Sequence, residues 1–262
     1  MKTTILAVAA LCAAACLADD QVKEPAAFPE NMPPAFAADA AAPAVLAACR
    51  AMLPPRPVML EGRIVKRNRR GTVQDEYRYV LEMRRNEKPS KLVVTLKSKD
   101  GAKDLQKATV LREGAAAPKL ELEDLATGGK TSPELDGQVL GTDVTWLDLT
   151  LDFLWWTDAS FEAEREGETV HGQKCTVIVA KPPSPLGKVT GVRLWADRKT
   201  GCMMQAEQLG EGGKAIHRLW GTRIKKFDGR WSVSVIETES PGSGLRTKIT
   251  VEAIKDPDKP KE

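Results

Sequence analysis

Apolar and polar positions repeat with two different periods along this chain, and the change of period divides it. Pro43–Leu53, "PAVLAACRAML", is rich in Ala, Leu and Met, and Pro54-Pro55 stops it, so it predicts a helix. From there the period falls from about 3.6 to 2. In "VQDEYRYVLEM" the odd positions are Val73, Asp75, Tyr77, Tyr79, Leu81 and Met83, and the even positions Gln74, Glu76, Arg78 and Glu82 are polar with Val80 the exception, the pattern of a half-buried strand. "KLVVTLKSK" (91–99) continues it until Asp100-Gly101 turns the chain. Further strands are expected near 159–167, 172–181, 189–197, 202–209, 214–226, 230–239 and 245–254. The short turn signals between them force antiparallel neighbours. Trp231, Val233 and Val235 are placed on the inner face with Ile249, Val251, Met204 and Ala206. The expected fold is mainly β with a few α-helices. It is an up-and-down meander of ten to twelve strands, curled into an incomplete, strongly curved antiparallel β-barrel whose apolar face needs a cover.

"GTDVTWLDLTLDFLWW" (141–156) is the candidate cover and holds three of the six tryptophans. Its conformation reads two ways. "LDLTLDF" alternates like a strand, whereas Thr145 and Asp148 stand three apart before an apolar run, like a capping box. The cap favours a short helical lid. In that helix Trp146, Leu149 and Phe153 share a face with Leu154 beside them, and Thr145, Asp148 and Asp152 form a solvated stripe. The lid and inner-face residues expected to contact a bound lipid are Trp146, Leu149, Phe153, Leu154, Trp155, Met204, Trp231 and Val233.

The ends divide the chain further. "MKTTILAVAALCAAACLA" (1–18) has the layout of a secretory signal peptide, with cleavage after Ala18 or lipidation at Cys16 as the two readings. Export to the periplasm is expected in both, with a lipid anchor only in the second. Residues 19–42 are Ala/Pro-rich and predict a disordered tether, 43–256 a single half-barrel domain, and 257–262 a short tail. No later stretch is apolar for long enough to span a bilayer as a helix. Net charge is +3, and losing Lys2 with the signal leaves +2. That near-balance, with export, argues against a nucleic-acid partner.

The search for chemistry returns little. His171 and His217 are the only histidines, and His171 with Cys175 has no further ligand nearby, so no metal or other cofactor is expected. There is no G-x-S-x-G, G-x-G-x-x-G or P-loop, and no nucleophile–base pair is apparent, so the chain is read as a non-enzyme. Glu162, Glu164 and Glu166 line up as the wet face of an edge strand rather than as an acid–base pair. Basic stretches at 63–71 and 84–91 read as loop charge, with contact to anionic head groups as the functional alternative. Cys49, Cys175 and Cys202 allow at most one bridge. Cys175–Cys202 is the pair to test, against the reading that all three are small buried apolar groups.

"LGTDVTWLDL" (140–149), "GQKCTVIVAKPP" (172–183), "VRLWADRKTGCMMQAE" (192–207) and "KKFDGRWSVSVIETE" (225–239) together resemble the outer-membrane lipoprotein-sorting proteins of the LolA/LolB-like family. The resemblance covers 135–255 well and 43–100 loosely. It implies a curved, incomplete barrel wrapped on helices, and a carrier or acceptor of lipid or lipoprotein acyl chains. It further implies a monomer that works between donor and acceptor membrane proteins without catalysis. The alternative is a periplasmic sensor or protein-interaction domain on the same fold.

Overall fold

Helix α1 (Ala42–Ala51) forms where Ala and Leu predict it, with Pro43 in its first turn, and it buries Val45, Leu46 and Cys49 as one stripe. In the computed structural model, residues 35–37, 39–114, 116–227 and 230–259 are described, without the side chains of Ile224, Arg230 and Trp231. The signal segment, Cys16 and most of the tether lie outside them, as do 260–262 of the tail.

Six strands follow α1: β1 (Val58–Asn68), β2 (Val73–Arg84), β3 (Ser90–Lys97), β4 (Asp104–Arg112), β5 (Lys119–Asp124) and β6 (Lys130–Thr131). The chain then crosses through α2 (Trp146–Thr150) to β7 (Asp158–Phe161) and β8 (Thr169–Val170). It continues as β9 (Gln173–Lys181), β10 (Gly191–Asp197), β11 (Met203–Leu209), β12 (Ala215–Phe227), β13 (Arg230–Glu239) and β14 (Leu245–Lys255). All pairings are antiparallel, in the order β6-β5-β4-β3-β2-β1-β14-β13-β12-β11-β10-β9-β7, with β8 beside β9. The two meanders join where β1 pairs β14, so β6 and β7 are left as the unpaired ends. The sheet is an incomplete curved barrel, and the link from one free end to the other carries the lid across its open face.

Two expectations about the strands need correction. Fourteen strands form among the described residues, against an expected ten to twelve, because β5 to β8 include pieces too short to show alternation. The strand expected over 159–167 ends at Phe161. A 3-10 turn at Ala163–Arg165 follows, and Gly167 (φ 78°) reverses the chain.

One apolar core fills the inner face, joining α1, the lid and residues from most strands. A smaller cluster of Cys175, Val177, Trp195, Cys202 and Met204 lies on the other face of β9–β11. The outer face is tied by a cross-strand chain of charge. Arg193 bridges Glu162 and Glu207, Arg218 bridges Glu207 and Glu239, and Arg246 reaches Glu239 and Glu237. Glu162 is a link in that chain, and Glu166 meets Arg198 at 3.2 Å.

The β1–β14 seam depends on one glycine. The register shifts at Glu61/Gly62, and a Cβ on Gly62 would stand 1.8 Å from the Thr250 carbonyl oxygen. Gly62→Ala is expected to destabilise by about 1–3 kcal/mol or more, read from urea unfolding, because backbone must move to admit the methyl. An unchanged midpoint would mean that this pairing is not formed as described.

Candidate functional site

The lid begins with a small hairpin that sets its angle. Val139 donates its N–H to Val144 O at 2.8 Å, and Leu140 (φ 49°) and Gly141 (φ 66°) make the turn. Trp146 and Leu147 then donate to Gly137 O and Leu135 O at 3.1 and 2.6 Å. The capping box is present in full: Asp148 N–H donates to Thr145 Oγ1 (3.2 Å) and Thr145 N–H to Asp148 Oδ2 (2.8 Å). The helix lasts only five residues. Leu151 takes a left-handed conformation (φ 51°), and a 3-10 turn at Asp152–Trp155 completes the cover.

Trp146, Phe153 and Leu154 are at most 2 % exposed, and Leu147 is fully buried beside them. Leu149, Leu151 and Trp155 are half-buried against the same core. Val233 joins that core, as expected. Met204 does not. A bulge where β10 pairs β11 inserts one residue, which sends Met203 to the inner core and Met204 to the outer cluster. A similar shift in β12–β13 passes the inward face from Val233 to Ile236, which sits opposite Ile249. The side chain of Trp231 lies outside the described residues. Cys175 and Cys202 are buried in the same small cluster. Burial pushes the Cys175 thiol up to about 11 and the Cys49 thiol up to about 12, so neither is reactive as a thiolate.

The expected wet stripe of the lid is instead its buried underside. Thr145, Asp148 and Asp152 are 6 %, 7 % and 3 % exposed. Asp148 reaches two side chains the sequence reading passed over. His217 Nε2 lies 2.7 Å from Asp148 Oδ2, and Gln208 Nε2 donates to Asp148 Oδ1 (3.1 Å) and Thr145 Oγ1 (2.9 Å). Burial disfavours a charged His217, but the charge and hydrogen bond of Asp148, with Asp143 and Glu239 behind it, outweigh burial and raise its pKa. Asp152 pairs with the buried Arg112 of β4 and accepts from Trp156 Nε1 at 2.8 Å. Two inward polar groups of the sheet thus fasten the lid by two of its carboxylates.

His217 Nδ1 also lies 3.3 Å from Ser240 Oγ, which brings a serine, a histidine and an aspartate into line. This corrects the expectation that no nucleophile–base pair exists. The contact is longer than the roughly 2.6–3.2 Å between a base and its nucleophile. Asp148 raises the His217 pKa, and the direction of the Nδ1–Ser240 contact follows the tautomer of the ring. The Asp148–His217 contact ties the lid to β12. Among the described residues, no group of three His, Cys, Asp or Glu is placed to hold a metal, and no helix is long and apolar enough to cross a membrane.

Two open grooves stand out among the described residues. One of ≈ 600 Å³ runs along the open seam, between Leu111, Pro118 and Leu120 at one end of the sheet and Pro185 and Leu186 at the other. Leu120, Leu135 and Leu186 belong to both groove wall and core, so the groove floor is continuous with the oily interior. The second, of ≈ 590 Å³, lies at the β1–β2 and β13–β14 hairpin tips among Arg67, Arg69, Glu237, Glu239, Arg246 and Lys248. The basic stretch around 63–71 is thus partly balanced by carboxylates, and Arg63 itself pairs with Glu76 and Glu252.

A protein-family profile described as "Uncharacterized protein" matches residues 114–260. No curated protein matches the chain. Among solved structures, a DUF1329 family protein from Desulfovibrio piger superposes with a TM-score of 0.67 at 15% identity, covering 84% of this chain and 93% of its own. A LolA superfamily protein from Nitrosomonas europaea gives 0.66 at 16% identity, covering 84% and 96%. A domain described as an outer membrane lipoprotein-sorting protein, from Vibrio parahaemolyticus, gives 0.65 at 13% identity, covering 79% and 88%. At such identities the likeness shows a shared LolA-like fold.

Proposed function

The chain belongs to the family whose profile spans residues 114–260, carried on a LolA-like fold, and from that premise we propose that it is a periplasmic carrier or acceptor of lipid or lipoprotein acyl chains. The observation that carries this reading is the cover. An unclosed sheet turns its apolar face toward a short, kinked lid rather than toward a second sheet, and an open groove leads in from the seam.

In the closed form the lid's own side chains fill the interior, so a guest must displace them. The magnitudes permit it. Exposing Trp146, Leu147, Phe153 and Leu154 costs on the order of 6–12 kcal/mol together, at about 1.5–3 each. A guest with a dozen methylenes returns roughly 10 kcal/mol, at about 0.8 per CH₂. The exchange is near balance, which is what loading and release by one protein require. The role needs no catalytic group, cofactor or second subunit.

The filled interior also favours a second reading, a sensor or protein-interaction domain that never opens. Protein isolated from bacterial membrane extracts and examined by native mass spectrometry distinguishes the two. The carrier arrives with lipid-sized adducts and takes up a fluorescent fatty acid saturably, and Leu149→Ala on the half-buried lid surface weakens uptake while the fold persists. Lipid-free protein that also refuses the probe leaves only the interaction domain.

A further inference from the structure

Three arginines from three separate elements converge on one tryptophan at the rim of the core. Arg112, at the end of β4, has its guanidinium carbon 4.6 Å from the Trp155 ring centroid. Arg85, in the β2–β3 connection, stands at 5.8 Å, and Arg50, in the last turn of α1, at 6.0 Å. Arg112 is 7 % exposed, and Arg50, Arg85 and Trp155 are half-buried. One carboxylate, Asp152, answers Arg112. Arg85 otherwise donates to the Pro54 carbonyl at 3.4 Å, and among the described residues neither Arg50 nor Arg85 has a carboxylate partner.

The aromatic face attracts each cation, but it carries no net charge and cannot screen the cations from one another. Their mutual repulsion is felt. Burial, and then the proximity of Arg50, lowers the Arg112 guanidinium to about 10, and the same two causes lower Arg85. Among the described residues, two positive charges thus stand without a carboxylate beside a half-buried tryptophan.

Their place in the fold says what they face. Ala108, Val110 and Arg112 alternate along β4 as one inward stripe, so Arg112 stands where the oily face ends. Guanidinium forks match the paired oxygens of phosphate and carboxylate. We propose that Arg50, Arg85 and Arg112 around Trp155 form an oxyanion site that takes the phosphate or carboxylate head group of an amphiphile whose tail enters the core. The head-group assignment rests on the acyl-chain reading; the anion site does not.

The test uses the full chain, and a variant carrying Arg50→Gln and Arg85→Gln, which leaves the buried Arg112–Asp152 pair intact. Binding of dodecyl phosphate, dodecanol and inorganic phosphate is measured by calorimetry, with circular dichroism and thermal unfolding as folding controls. Dodecyl phosphate is expected to bind the native chain about tenfold or more tightly than dodecanol, and the variant to lose most of that preference. Equal binding of the two amphiphiles overturns the anion site and leaves the acyl-chain reading standing. Inorganic phosphate bound by the native chain but not by the variant, with neither amphiphile bound, supports the anion site and overturns the acyl-chain reading. No binding of any of the three overturns both.

Discussion

Replacing Trp146 by alanine is expected to cost about 3–5 kcal/mol of stability, read as a fall in urea midpoint. Trp146 is 1 % exposed, lies on the first turn of α2, packs over Gly137 and donates its own N–H to the Gly137 carbonyl. No neighbour can collapse into the space it leaves without dragging the hairpin at 137–145 out of place. Trp155→Ala, nine residues on in the same cover, is half-buried and is expected to cost less, about 1–3 kcal/mol including its cation contacts. The contrast is the informative part. Equal small losses at both positions would mean that the lid is not docked in solution. The size of the Trp146 effect also decides how lipid uptake should be probed. A variant that unseats the cover loses binding whether or not its side chain touches the guest, so the half-buried Leu149 is the sounder choice.

Which parts of this molecule were legible in sequence follows from the range over which each was encoded. The later strands and α1 appear within a residue or two of the alternation that predicts them, because a half-buried strand writes its faces into neighbouring positions. The capping box was legible for the same reason, being closed within four residues. The bulges at Met203–Met204 and in β13 were not. One extra residue changes the face of everything beyond it and leaves composition untouched, which is how Met204 came to be assigned to the wrong side. The burial of Asp148 and Asp152 was also hidden. Their partners His217 and Arg112 lie 69 and 40 positions away in sequence, and a carboxylate on a short helix reads as solvated until its partner is known. A signal did exist. His217 is two residues from the core Leu219, and Arg112 continues the Ala108–Val110 stripe, so each is a polar residue at an inward position. Such positions carry a desolvation cost that only a buried partner offsets, and they are where a search for function gains most.

The His217–Asp148 pair gives the second large effect, and its sign is set by pH. The folded pKa of His217 stands above the ordinary value near 6.5. The stabilisation from the charged pair is therefore complete below about pH 6.5 and fades as pH rises through the folded value. Removing one partner of a buried pair costs about 3–5 kcal/mol, so Asp148→Ala is expected to lose that much near pH 6 and clearly less near pH 8.5. Ser240→Ala should change little at either pH, and a fluorophosphonate probe should leave Ser240 unlabelled, since its 3.3 Å contact to His217 is longer than that of a nucleophile to its base. Because Asp148 belongs to the lid and His217 to the sheet, the same titration acts on closure. The cover is expected to be held most tightly in mild acid and to loosen toward alkaline pH. Uptake of a fluorescent fatty acid should accordingly quicken as pH rises in the native chain and lose that dependence in His217→Gln. A loss from Asp148→Ala that is the same at both pH values would show that the pair is held by hydrogen bonding alone, without the charge.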